Sequence, residues 1–314
     1  MKITTYISTI LTSICCLFIF ASCSDSNQQY KIEGVVWNTQ YHITYMAPKT
    51  LDDSIQPVLR EVELSLSPFC PNSLITRINN GEDAEVDSML ATVFETSKQV
   101  NQWSGGAFDP SVSPLINLWG FGYKNYGTPP TQSQIDSALM FVGIDSCFIV
   151  DNRIKKKRPR TEFNFSAIAK GYGCDLIANM LKRNHCNNFL IEIGGEIAVS
   201  GVNRQGKTWN IMIDAPVNND SSVSLAIIET SDCGIATSGN YRNFKHNGDS
   251  TIGHTIDRHS GMPSQTQTLS VTIISSSAMR ADAFATACMA MNPQEALLMI
   301  QKEPDTEALF VIAD

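Results

Sequence analysis

The chain lacks the residues and spacings that mark several common chemistries. No two cysteines stand in a C-x-x-C pair, which removes zinc knuckles and thioredoxin-type redox motifs. The glycine-rich stretch Phe165 to Asp175 has neither the Gly-Lys-Ser/Thr of a Walker loop nor a G-x-G-x-x-G fingerprint. Basic residues are outnumbered, with 23 Lys and Arg against 31 Asp and Glu, and the net charge of −8 excludes a broad nucleic-acid footprint. There is no internal repeat and no long low-complexity linker. Histidine occurs only five times, so each one is worth weighing.

The longest early apolar stretch, Ile10 to Ala21, is too short for a comfortable membrane span. Preceded by Lys2 and ending in Phe20-Ala21-Ser22-Cys23, it has the layout of a secretory signal. Cys directly after Ala-Ser is similar to a bacterial lipobox, with Cys23 as the lipidated first residue of the mature chain. The expected organisation is therefore a signal peptide over 1–22, a lipidated tether over 23–30 and one folded unit over 31–314. The expected place is the periplasmic side of the bacterial envelope, anchored to the membrane by lipid and not spanning it. An ordinary signal peptide with an incidental cysteine is the alternative. Cys15 and Cys16 leave with the signal; Cys70, Cys147, Cys174, Cys186, Cys233 and Cys288 remain, and their spacing names no disulfide.

Periodicity predicts mixed structure. Ile32 to Tyr45 alternates like strands, as do Phe189 to Ser200, Trp209 to Asp214, Ser224 to Glu229 and Ser270 to Ile274, with Ala308 to Ala313 at the end. Helical spacing covers Asp53 to Leu66, Asp87 to Gln102, Gln132 to Val142, Ser166 to Asn184, Asp282 to Met291 and Pro293 to Gln301. Antiparallel stretches mixed with helices give an α+β class with largely antiparallel sheets and packed helices. The one basic run, Lys155 to Arg160, is expected in a solvated hairpin between strands at Cys147 to Asp151 and Thr161 to Phe165, with contact to an anionic partner as the alternative.

Five segments carry unusual chemistry. In Ser277 to Ala287, Asp282 is the only acid in a small apolar helix, and Thr286 lies one turn on along the same face. A carboxylate there must be paired, hydrogen-bonded or metal-bound, and Asp with Thr offers hard oxygen ligands that suit Mg²⁺. In Gly105 to Pro110, paired glycines allow close approach to a ligand, with Phe108 against a flat ring and Asp109 accepting from ring N–H groups; a plain turn with a buried aromatic is the alternative. Phe165 to Asp175 leads from a strand into a helix through small residues, as phosphate-binding turns or close packing both require. Ile191 to Ile197 reads as a strand with a bulge at Gly194-Gly195. In His254 to Pro263, His254 with Asp257 three residues on is a candidate general base, or else a satisfied structural histidine.

Taken in order, these segments resemble the ApbE family of FAD:protein FMN transferases. The matching pieces are Gly106-Ala107-Phe108-Asp109-Pro110, Leu118-Trp119-Gly120-Phe121-Gly122, Ala169-Lys170-Gly171-Tyr172, Ile193-Gly194-Gly195-Glu196, Ala236 to Tyr241, His254 to Pro263, and Ser277-Ala278-Met279 with Ala281-Asp282-Ala283. The resemblance implies a T-fold-like architecture and transfer of the FMN moiety of FAD to a Thr or Ser hydroxyl of an acceptor protein, releasing AMP. It implies Mg²⁺ held by Asp282, Thr286 and the Ala167 carbonyl, and an FAD site lined by Ala107, Phe108, Asp109, Lys170 and Ile256. Trp37 and Phe69 are implied as flavin-stacking members of the same site, at positions where the family often has Met and Tyr; Arg258 falls where Pro is usual, and Asn164 where many members carry Asp. His254 is the expected base, with Asp257 orienting it or its loop. Acceptors in the family are typically envelope subunits of sodium-pumping NADH:quinone reductase and Rnf-type complexes. Two other readings use the same site: a Mg-dependent FAD pyrophosphatase giving FMN and AMP, and an FAD-binding lipoprotein without chemistry. A flavoprotein electron carrier is a further option.

Overall fold

The computed structural model describes residues 27–124, 126–216, 223–239, 244–247 and 250–313. Cys23 and the Asn240-Tyr241 end of one motif lie outside them. The strands are β1 (Gln28–Val36), β2 (Thr39–Ala47), β3 (Cys147–Val150), β4 (Arg153–Lys156), β5 (Phe189–Ile193), β6 (Glu196–Ser200), β7 (Trp209–Asp214), β8 (Ser224–Thr230), β9 (Cys233–Gly239), β10 (Phe244–Asn247), β11 (Ser250–Gly253), β12 (Thr268–Ser275) and β13 (Glu307–Ile312). The helices are α1 (Asp52–Leu66), α2 (Leu74–Asn79), α3 (Ser88–Trp103), α4 (Ser113–Leu118), α5 (Gln132–Leu139), α6 (Ala169–Arg183), α7 (Ala278–Ala290) and α8 (Pro293–Ile300). None of the described helices is long and apolar enough to cross a membrane.

Seven strands form one sheet in the order β1-β2-β5-β6-β9-β12-β13, with every neighbour antiparallel. The class is the α+β expected from periodicity. Alternation sends Ile191 and Ala198 to one face, where they pack with Cys174, Ile177 and Leu181 of α6. On the same face Ala236, Val271 and Ile273 meet Ala281, Phe284 and Cys288 of α7. The opposite face, with Leu190, Ile197, Val199 and Ile235, is covered by the β7–β8 hairpin through Trp209, Ile211 and Ile213. The two ends of the sheet differ. The β1–β2 turn at Trp37-Asn38, the β5–β6 turn and the end of β9 gather at one end; Gln28, Ser200 and Cys233 lie at the other.

Three expectations need correction. Gly194-Gly195 is no bulge. It is the two-residue turn of a β5–β6 hairpin, with φ +65° and +101°, and both positive angles suit glycine. Thr161 to Phe165 is not a strand; β3 pairs instead with β4, which contains Lys155 and Lys156. The basic run is also not simply solvated: Lys156 donates to the Ile78 carbonyl (2.9 Å), Arg158 to the Val142 carbonyl (2.7 Å), and Arg160 lies over the Phe141 ring. The six described cysteines are all free thiols.

Candidate active site

A cleft of about 610 Å³ opens at the turn end of the sheet. Its walls come from segments far apart in sequence: Trp37, Phe69, Ala107 to Asp109, Ala167, Lys170, Glu196, Ser238, His254, Ile256, Asp282 and Thr286. Every expected cofactor and metal residue therefore lines one cavity, as does His254. Asp257 does not line it. Its carboxylate accepts from the His259 and Ser260 amides (3.1 Å each) and from the Ser260 hydroxyl (2.6 Å), so it holds the turn that follows His254.

The polar end of the cleft is built on α6 and α7. Ser277 caps α7 by accepting from the Arg280 amide, which fixes the start of the helix. Asp282, Thr286 and Ala290, four residues apart, then face the cleft together. Asp282 is buried and its Oδ2 accepts from the Gly171 N–H (3.1 Å). In a regular helix that N–H would reach the Ala167 carbonyl four residues back. Burial pushes the Asp282 carboxyl above its ordinary range, against the pull of Lys170 and the Gly171 amide. Thr286 shares a hydrogen bond with Ser238 (3.3 Å).

Glu196 is the member that sequence reading gave no role. The tight Gly194-Gly195 turn delivers it to the cleft wall, where Lys170 pairs with its Oε1. Its other oxygen is buried without a hydrogen-bond partner. Burial outweighs Lys170, and Asp282 adds to the effect, so the Glu196 carboxyl is pushed up to about 8. Burial also works against the Lys170 charge, but Glu196 and Asp282 more than offset it and hold the ammonium protonated. Trp37 Nε1, on the same cleft, is a second buried polar atom without a partner. Native interiors rarely leave such atoms unsatisfied, so their place on one cleft wall marks a surface shaped for a polar ligand.

The apolar end is made by Phe69, half exposed, with buried Phe108 and Ile256. Asp109 reaches the cleft, but its carboxylate is occupied. It accepts from the Ser111 amide (2.9 Å) and hydroxyl (2.6 Å), approaches the Ile144 amide (3.4 Å), and pairs with Arg258 (3.1 Å). The acceptor for ring N–H groups expected there is thus committed to the protein. His254 packs edge-on against Phe121, with ring centroids 6.4 Å apart.

Among the described residues no group of three His, Cys, Asp or Glu is placed to hold a metal ion. The alternative is one or two carboxylates with a hydroxyl, a carbonyl, water and substrate phosphates, which is the usual manner of Mg²⁺. Asp282, Thr286 and Ala167 meet that description. The donors are hard oxygens, one of them a buried carboxylate, and a bound cation would favour the ionised forms of Asp282 and Glu196 that burial opposes, so the residues fit the ion.

The family model for ApbE matches residues 37–310. A relative from Vibrio cholerae, named FAD:protein FMN transferase, is 33% identical over 97% of this chain and 94% of its own length. One of the same name from Escherichia coli is 29% identical over 81% of this chain and 74% of its own. The solved flavin transferase ApbE from Vibrio cholerae superposes with a TM-score of 0.82 at 32% identity, covering 91% of this chain and 94% of that one. The Pseudomonas stutzeri flavinyl transferase ApbE gives 0.83 at 29% identity, covering 92% of each. Motif order, a shared antiparallel fold and a match over nearly the whole chain lead to one assignment: this protein belongs to the ApbE family.

Proposed function

We propose that this chain transfers the FMN moiety of FAD to a Thr or Ser hydroxyl of an acceptor protein and releases AMP. The observation that carries the reading is the two-ended cleft. One end offers Phe69, Phe108 and Ile256 to a flat ring; the other offers Lys170, Asp282 and Thr286 to a pyrophosphate. Mg²⁺, held by Asp282, Thr286 and the Ala167 carbonyl, supplies charge neutralisation for the pyrophosphate. Lys170, kept charged and aimed by Glu196, adds a fixed cation. The acceptor hydroxyl is a weak nucleophile at neutral pH and needs a base. His254 takes its proton as the oxygen bonds to the FMN-side phosphorus, while the bond from that phosphorus to the AMP oxygen breaks. Asp257 keeps the turn beside His254 in shape. The lipobox at Cys23 supports an anchored, periplasmic enzyme, whose acceptors would be envelope electron-transfer subunits such as those of sodium-pumping NADH:quinone reductase or Rnf-type complexes.

The test is to incubate the chain, lacking the residues before Ser24, with FAD and Mg²⁺, with and without a flavin-acceptor domain. Mass spectrometry and in-gel flavin fluorescence then report the products. A covalent FMN adduct on the acceptor that D282A abolishes supports the reading. FMN and AMP with no adduct on any acceptor would make the protein a pyrophosphatase, and bound but unchanged FAD would make it a carrier.

A further inference from the structure

Arg258 stands outside the cleft wall yet joins two of its loops. Its guanidinium reaches Asp109 Oδ2 at 3.1 Å, and that carboxylate is fully buried. The Arg258 side chain is itself four-fifths buried. It lies directly on Gly106, where a β-carbon would come within 2.7 Å of Nη1. Asp109 is in turn fixed to Ser111 and to the Ile144 amide. On the Arg258 side, Asp257 braces the turn, and Trp119 Nε1 donates to the Gly261 carbonyl (2.9 Å). Two separately braced loops are thus tied by one desolvated ion pair. One loop presents Ala107 and Phe108 to the cleft, the other His254 and Ile256.

We infer that Arg258 is a positioning residue for the flavin end of the site, which sets the gap between Phe108 and Ile256 through its ion pair with Asp109. The inference rests on the FAD-binding reading above. A guanidinium fits the task because its charge is permanent and its planar fork holds a carboxylate in a fixed orientation. Removing it leaves Asp109 buried without its countercharge, so the two loops separate or the carboxylate turns.

The experiment is an FAD titration by flavin fluorescence on the full-length protein in detergent, without divalent cation. It is joined by KM and kcat with Mg²⁺ and by thermal melts. The variants are R258M, R258K and D109N with R258M. R258M is expected to weaken FAD binding and raise KM by roughly tenfold, the scale of a small misplacement at a binding surface. R258K is expected to recover most of that loss, and the double variant to be no worse than R258M alone. FAD affinity and KM for R258M within about twofold of the wild type would overturn the inference. So would a lowered melting temperature with unchanged KM, since that is what a purely structural brace gives. A wild-type chain that binds no FAD overturns the functional reading and this inference together; wild-type binding that R258M leaves untouched overturns this inference alone.

Discussion

Asp282 sits in the fold at a cost, because its carboxyl is desolvated and only one amide and one neighbouring ammonium compensate. D282N is therefore expected to keep or raise the melting temperature measured in EDTA, while lowering FMN transfer by about 100-fold or more, the equivalent of a few kcal/mol of lost charge stabilisation. Melts and turnover on one preparation check both halves. Glu196 gives a pH signature. Its folded-state value of about 8 lies above the ordinary 4.5, so the folded protein retains a proton that the unfolded chain releases. The stability this contributes is fully present below 4.5 and is lost as pH rises through about 8. Melting temperature in EDTA should fall across that window, and E196Q should flatten the fall. Asp282 and Thr286 were legible in the sequence because a lone acid in an apolar helix has to answer to something, whereas Lys170 was named only through the family resemblance. The Lys170–Glu196 pair was not, since its members sit on different elements and nothing in either segment names the other. Asp109 was half legible: its place at the cleft was read correctly, but the claim of Arg258 on its carboxylate depends on how two distant loops meet.

Among the elements, the contact of α6 with α7 decides where Asp282 stands. Asp175 on α6 accepts from the Ala278 and Met279 amides (2.9 Å each), acting as a cap supplied from another helix. D175A should cost about 1–3 kcal/mol for each donor it orphans, read by chemical denaturation, and should lower transfer further by loosening Asp282. The approach of α7 to β9 is equally close: a β-carbon on Gly234 would lie 2.0 Å from the Ala278 nitrogen. G234A is expected to destabilise the protein by about 3 kcal/mol, the upper end for overpacking. That closeness also explains why β9 escaped sequence reading. Cys-Gly-Ile-Ala-Thr-Ser-Gly holds few of the branched or aromatic residues that mark a strand, because a helix backbone lies against it. The long amphipathic elements, β1, β2, α1 and α3, kept their periodic signal and were read to within a few residues. At Thr161 to Phe165 apolar alternation misled: Phe163 and Phe165 fill the core from an irregular segment, with the Phe163 backbone bonded to the Asn79 side chain.

Over the whole molecule, the cleft draws on wall residues from Trp37 to Ala290, so no fragment of the chain holds a complete site. Family motifs made it legible from sequence in a way that local chemistry could not. The proposed anchor is separable from the site in the same view. A C23A variant with its signal intact should leave the membrane fraction, as immunoblots of fractionated cells would report, and should keep its rate toward a soluble acceptor domain. The direction of β1 has a consequence for reach. The strand runs from Gln28, at one end of the sheet, to the turn at Trp37 that forms the lip of the cleft. Eight steps along an extended strand span about 27 Å. Were the chain anchored at Cys23, as proposed, with β1 upright, it would work like a crane with its hook at the far end of the jib. Such an enzyme would serve a hydroxyl carried on a stalk or a free domain, and would pass over one lying flush with the lipid headgroups.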